Sequence, residues 1–441
     1  MTDLVLGIDV GSSRIKALLV DADGLDVGTA AVPTPFTSGA GGSGSEVTVA
    51  ALDQALSEAL ERLGGLRERV AGVGIAGMAE SGAPLDRSGD ALAPILAWHD
   101  RRGGDVAQRL SERFGADLNE RIGQQLRGVS SVAKLGWLTE HGVVGVERWL
   151  GVPELGLHAL TGAEATELSL AARTGCWDVG RAEWIGDVAE AAGFGLGVFP
   201  EVLPAGRAMG RVTPGAATRF RIPTGAPVTI AGHDHLAGLV GSGADPLDLG
   251  NSVGTAETVI GRSPSLPDMT AALERKLAVT VFPGGDGWAV LASAARSGLA
   301  LSSAAAALGR SEPQLDQLSV GASLLDAPGL RDSLDRRDPP LLPEGEPGDV
   351  WHTLLDQLAA LTADAAVRVV RVVGARRRLV VFGGGAASRP WLAAKARLAP
   401  LPVWRVTAPE AVARGAAIYG GVAAGWWASP AAAPRPPLEP A

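Results

Sequence analysis

The chain opens with two apolar runs, 4–10 and 15–20, separated by a four-residue polar turn, Gly11-Ser12-Ser13-Arg14. Apolar runs bounded by a tight turn read as buried strands joined in a hairpin. This start commits the chain to a sheet whose first hairpin tip is polar. Backbone N–H groups and two hydroxyls at such a tip face an anion readily. Asp9 stands at the threshold of the turn and Lys16 just beyond it. A carboxylate there suits a hard cation such as Mg2+, and Lys16 or Arg14 adds positive charge. The set fits the terminal phosphates of a nucleotide. The turn alone leaves open an ordinary surface hairpin.

A chain of 441 residues exceeds the size at which single cores stop growing, about 250–300 residues, so two domains are expected. The net charge of −9 and the lack of a basic stripe argue against a nucleic-acid partner. No apolar run is long enough for a membrane span. The single cysteine, Cys176, cannot form an internal disulfide, which fits a reducing cytoplasm. Asp3 followed at once by a strand does not resemble a signal peptide. Nothing in the sequence fixes the oligomeric state, and a homodimer is the default expectation.

Strand and helix patterns alternate. A loop rich in Gly and Ser is expected over 33–45. Apolar spacing predicts a helix over 49–63 and strands over 70–78 and 92–98. Residues 103–150 read as mainly helical. A second unit restarts with a strand near 226–232, a helix from Asp234 to Gly241, a long helix over 350–373, and a strand over 378–382 ended by glycines. Five prolines after 429 predict a disordered tail. Two α/β halves, each opening with strands and a glycine-containing acidic turn, argue for two mixed α/β domains.

Five further stretches, forming four candidate sites, carry candidate chemistry. In Gly232-His233-Asp234-His235, an acid sits where a strand ends and a helix begins. Asp234 reads as a helix N-cap or as a general base facing a cleft. In Met78-Ala79-Glu80 and Trp98-His99-Asp100-Arg101-Arg102, carboxylates and an aromatic ring follow strands. They form a plausible polyol pocket or a surface ion-pair cluster. Gly250 to Glu257, with Gly254-Thr255 at its centre, and Gly383-Gly384-Gly385-Ala386 are glycine-rich turns beside apolar runs. They could admit a phosphate or a flat base, or simply turn the chain. Gly72-Val-Gly74-Ile-Ala-Gly77 matches the dinucleotide fingerprint, but its glycines lie within the apolar run and no helix pattern comes after it. No Walker A motif, zinc spacing or nucleophile elbow is present.

Taken in order, these stretches resemble the FGGY family of carbohydrate kinases, within the sugar kinase, actin and chaperone ATPase superfamily. Asp9-Val-Gly11-Ser12-Ser13-Arg14-Ile-Lys16 is similar to that family's first phosphate loop. Trp98-His-Asp100-Arg-Arg102 is similar to its Trp-x-Asp-x-Arg motif. Val129 to Leu138 and Leu160 to Gly175 resemble its middle segments, and Pro409-Glu410 through Ala417 its closing helix. The resemblance implies α/β architecture with two RNase H-like (actin-like ATPase) domains and a cleft between them. The first would cover 1–243, binding sugar and carrying the first phosphate loop. The second would cover 244–428 and bind nucleotide, with 429–441 as the tail.

The implied reaction is ATP-dependent phosphorylation of a sugar's primary hydroxyl. A ketose, as in a xylulokinase, is the expected substrate. A sugar acid, a polyol, a non-catalytic sugar-binding regulator and a simple ATPase are the alternatives. By resemblance, Asp234 is the catalytic base, and Asp9 with Asp234 holds Mg2+. Glu80, Trp98, Asp100, Arg102 and His235 join Asp234 around the sugar. Gly11, Ser12, Ser13, Lys16, Gly254, Thr255, Gly384, Gly385 and Ala386 bind ATP. Met78-Ala79-Glu80 replaces the Gln-Arg-Glu or Gln-Met-His of many members, which disfavours glycerol and weakens a plain xylulokinase assignment. Ala393 and Arg397 stand where the family usually has Gln and Asp, which leaves nucleotide preference open.

Overall fold

The computed structural model describes residues 3–39, 44–334 and 340–441. Residues 40–43 of the Gly/Ser-rich loop lie outside them. The architecture is α/β, with one large sheet in each half and smaller two- and three-stranded sheets besides.

The first sheet contains β1 (Leu4–Val10), β2 (Arg14–Val20), β3 (Asp26–Pro33), β4 (Val70–Gly77), β5 (Gly210–Arg211) and β6 (Pro227–His233). Their order is β5-β6-β4-β1-β2-β3. The β1-β2-β3 run is antiparallel, while β1, β4 and β6 are parallel. The second sheet repeats the plan with β7 (Leu249–Val253), β8 (Glu257–Ser263), β9 (Ala278–Val281), β10 (Trp288–Ala295), β11 (Leu379–Phe382), β12 (Val403–Val406) and β13 (Leu438–Pro440). Its order is β9-β10-β8-β7-β11-β12-β13. Here too an antiparallel run, β7-β8-β10, meets parallel strands, β7-β11-β12.

Alternation along β1 decides how the layers stack. Leu4, Leu6 and Ile8 face helix α1 (Val49–Glu61) in the larger core of the first half. Val5 and Gly7 face the opposite way, toward helix α4 (Ala411–Ala423). That helix comes from the end of the chain, yet it lies between the halves. It packs on β1, β4 and helix α2 (Asp234–Gly241). The approach is close enough to require glycine. A Cβ on Gly74 would stand 1.8 Å from the Ala416 carbonyl oxygen, and one on Gly415 1.8 Å from that of Ala237. Helix α3 (Pro347–Val373) covers the second sheet, burying Leu354, Leu358, Ala365 and Val369.

Several expectations change. The strand expected over 92–98 is only Ile95–Leu96. The region 103–150 holds helices Gly104–Ile122 and Ser131–Glu140, then a strand, Arg148–Gly151. The tail expected to be disordered is ordered. Its last residues form β13, paired antiparallel with β12. Pro434 packs at Gly24 and Pro436 at Gly243, so the tail also lies against the first half. Proline suits an edge position because its missing N–H is not needed for a further neighbour. Among the described residues, no helix is long and apolar enough to cross a membrane.

Candidate active site

A cleft of about 1590 Å³ lies between the two sheets. The carboxyl ends of β1, β4 and β6 open on one side of it, those of β7 and β11 on the other. Open α/β sheets place ligands at this end of their strands.

The β1–β2 turn supplies Gly11, Ser12 and Ser13 to the cleft wall. Gly11 N–H closes the turn on the Arg14 carbonyl at 3.1 Å. The turn after β7 supplies Gly254 and Thr255 from across the cleft. Ser13 Oγ and Thr255 Oγ1 stand 2.9 Å apart. Gly383, Gly384 and Gly385 line the same side. Ala386 does not: it is buried in the core of the second half, and Ala387 and Ser388 face the cleft instead. A small side chain after a tight glycine turn falls naturally on the core side of the sheet. Lys16 borders the cleft and forms an ion pair at 2.7 Å with Glu410, at the start of α4.

The Val253–Thr255 turn is held from beneath. Glu257 and Lys395 are fully buried and paired. Lys395 Nζ also reaches Asn251 Oδ1 at 3.0 Å and Thr362 Oγ1 at 2.7 Å, and Ser297 donates to Glu257 at 2.6 Å. Every charge in this network has a partner, as buried charge requires. Ala393 and Arg397 are exposed and neither lines the cleft. Arg397 pairs with Asp356.

Asp9 lies at the mouth of the β1–β2 turn. Burial pushes its carboxyl up to about 7, Lys16 pulls it down, and the Asp234 charge adds to the rise. Its Oδ1 is buried without a hydrogen-bond partner. An orphaned carboxylate oxygen fits a hard cation, and the hydroxyl and N–H donors beside it fit the phosphate such a cation would accompany.

Asp234 is the first residue of α2, and the N-cap position belongs to His233. The simple capping role therefore gives way. Asp234 Oδ1 accepts the His235 N–H at 2.6 Å and stands 3.2 Å from His233 Nε2. The side chain keeps 26% of its exposure, toward the cleft. Burial raises its pKa to about 7. His233 is held neutral, its pKa well below the ordinary value, chiefly by burial. Neutral His233 can donate through Nε2 and orient the carboxylate.

The sugar-side residues divide. Met78, Ala79, Glu80 and Trp98 line the cleft. Glu80 has φ 60°, a conformation unusual for a non-glycine residue. Its carboxylate pairs with Arg173, and Lys134, buried below, donates to the Glu80 carbonyl at 2.9 Å. Asp100 and Arg102 are drawn away from the wall. The Arg102 fork grips Asp100, with Nη2 to Oδ2 at 2.7 Å, and reaches Glu46 at 2.5 Å. Burial opposes ionisation of Asp100, but this fork prevails and holds its pKa down. Their neighbours His99 and Arg101 line the cleft instead. His235 borders the cleft, yet both ring nitrogens are engaged, Nδ1 with Ser252 Oγ at 2.8 Å and Nε2 with Thr258 Oγ1 at 3.3 Å. It ties α2 to the second sheet and has no donor left for a sugar. Burial lowers its pKa to about 4.

His99, Arg127, Arg173 and His233, to which the sequence assigned no role, also line the wall. Arg173 lies in a stretch matched by resemblance, but no spacing rule ties it to Glu80, 93 positions away.

The family model for the N-terminal domain of FGGY carbohydrate kinases matches residues 4–241. A xylulose kinase from Streptomyces coelicolor is 30% identical over 94% of this chain and 86% of its own length. An L-fuculokinase from Escherichia coli K12 is 26% identical over 268 residues, and the match spans 59% of this chain and 57% of that relative. A solved xylulose kinase from Rhodospirillum rubrum superposes with a TM-score of 0.78 at 24% identity, covering 96% of this chain and 92% of the other.

Proposed function

Because the chain belongs to the FGGY family of carbohydrate kinases, we propose that it transfers the γ-phosphoryl group of ATP to the primary hydroxyl of a ketose, as a xylulokinase does. One observation carries this reading. Hydroxyl turns from two separate sheets meet within 2.9 Å, in the cleft that also exposes the Asp234 carboxylate. Phosphoryl transfer asks mainly for positioning and charge neutralisation, and this arrangement supplies both.

In this reading, Asp234 accepts the proton of the sugar hydroxyl as its oxygen bonds to the γ-phosphorus. The bond from that phosphorus to the bridging oxygen breaks, and ADP leaves. A base worth about 10²–10⁴-fold in rate needs a pKa near working pH, and burial of Asp234 provides one. Ser12, Ser13, Gly11 and Lys16 hold the phosphates from the first half, Gly254 and Thr255 from the second. Gly383 to Gly385 form the floor for the nucleoside. Asp9 is the residue that would hold Mg2+, which neutralises phosphate charge when bound. Glu80 and Arg173 accept and donate hydrogen bonds to sugar hydroxyls, and Trp98 offers an apolar face to the sugar's C–H surface. Asp100 and Arg102 support that wall from behind.

We place the division of labour near residue 243, with sugar held by the first half and nucleotide by the second. A homodimer in a reducing cytoplasm completes the proposal, the former checked by light scattering. An ADP-release screen across D-xylulose and other ketoses, polyols and sugar acids tests the function. Sugar-dependent release greatest with a ketose is expected. Release without any sugar would favour an ATPase, and none at all would favour a non-catalytic scaffold.

A further inference from the structure

The strand that delivers Asp234 does not end regularly. The pairing of β6 with β4 slips between Ile230 and Gly232, leaving Ala231 as an extra residue. Such a bulge re-aims the residues beyond it. Gly232 has φ 99°, a conformation open to glycine. Two side chains fill the space beside it. A Cβ on Gly232 would lie 2.6 Å from Ser169 Oγ and 2.7 Å from Glu167 Oε2.

Those groups form a chain of hydrogen bonds leading to the base. His233 N–H donates to Ser169 Oγ at 3.0 Å. Ser169 Oγ donates in turn to Glu167 Oε2 at 2.5 Å, and Ser169 N–H donates to the same oxygen at 2.7 Å. Ser169 and Glu167 are both fully buried. The hydroxyl thus accepts the backbone N–H just past the bulge, one residue before Asp234. The other half of the molecule closes the arrangement. The turn after β9 presses Pro283 toward Gly232 and Gly285 toward Leu168, and Tyr419 donates to the Pro283 carbonyl at 2.7 Å.

We propose that Ser169 and Glu167 are positioning residues for phosphoryl transfer, fixing the bulged end of β6 and with it the depth at which Asp234 meets the sugar hydroxyl. This rests on the kinase reading above. Neither residue touches substrate: Ser169 acts through the His233 backbone, and Glu167 through Ser169.

The test compares Ser169→Ala, Ser169→Thr and Glu167→Gln with the wild-type chain, using D-xylulose and ATP. Ser169→Ala is expected to lower kcat roughly 10²-fold, the scale of a misplaced catalytic group. KM for each substrate should stay within about threefold, because ground-state contacts are untouched. Ser169→Thr keeps the hydroxyl and should restore most of the rate. Glu167→Gln keeps an acceptor and should cost less than Ser169→Ala. Hydrogen–deuterium exchange over residues 229–236 should rise at least about tenfold in Ser169→Ala and stay near wild type elsewhere. Full turnover by Ser169→Ala, or a loss that Ser169→Thr does not rescue, would overturn the proposal. A wild-type chain silent toward every sugar would instead sink the kinase reading. Exchange at 229–236 would then still decide whether Ser169 and Glu167 hold the strand.

Discussion

At the scale of residues, the cleft is governed by two carboxyl groups that burial holds near neutrality. Asp9 and Asp234 are both raised to about 7. If Asp234 is the base, Asp234→Asn lowers kcat by about 10²-fold or more with the fold intact. In the wild-type chain, kcat/KM climbs as pH rises toward about 7 and levels off above it, because only the ionised carboxylate accepts a proton. An ADP-release assay from pH 5 to 9 checks both outcomes. Stability moves the opposite way. An acid whose folded pKa lies above its unfolded value binds more protons when folded. It therefore costs stability progressively as pH rises from about 4 through 7. Asp9→Asn removes that cost, so its Tm relative to wild type should increase between pH 5 and pH 8. An unchanged difference by scanning fluorimetry would mean that Asp9 is not desolvated. The sequence pointed to Asp9 and Asp234 because each sits at a strand end close to glycine, and both line the cleft. It could not show that Asp100, Arg102 and His235 engage one another or Glu46, Ser252 and Thr258, contacts set by tertiary packing. The pairing of Arg173 with Glu80 was hidden for the same reason.

At the scale of elements, periodicity made the long helices and central strands legible. The helix expected over 350–373 is Pro347–Val373, and the one from Asp234 to Gly241 has those bounds. Short edge elements were not legible. β13 owes its pairing to β12 rather than to any propensity of its Leu-Glu-Pro sequence. The glycines where β1, β4 and α4 meet are packing requirements, which no sequence pattern showed. Gly415→Ala should cost stability at or beyond the upper end of the overpacking range, about 3 kcal/mol, since the new methyl would meet backbone that cannot swing aside. Urea denaturation measures it. A shift below about 0.5 kcal/mol, ordinary for a surface change, would show that α4 can move away freely.

At the scale of the whole molecule, ligands are expected to bridge two halves that already touch at Ser13 and Thr255. Sugar and a non-hydrolysable ATP analogue together should favour a compact form more than either alone, since a ligand shifts an equilibrium only by its differential affinity. Solution X-ray scattering should show the smallest radius of gyration with both bound; an identical profile in all states would exclude closure. The placement of α4 also bears on how the chain is made. Strands β1 and β4 are complete by residue 77, but the helix that covers Val5, Leu18 and Val20 begins at residue 411. At ribosomal speeds that interval is on the order of tens of seconds. During it, the oldest sheet waits with one face bare, while α1 covers the other. The first half cannot finish folding as a unit before that helix is made. Its last layer arrives only with residues 411–423, so any premature stop before 411 leaves a nascent protein with an open apolar face for chaperones or proteases to find.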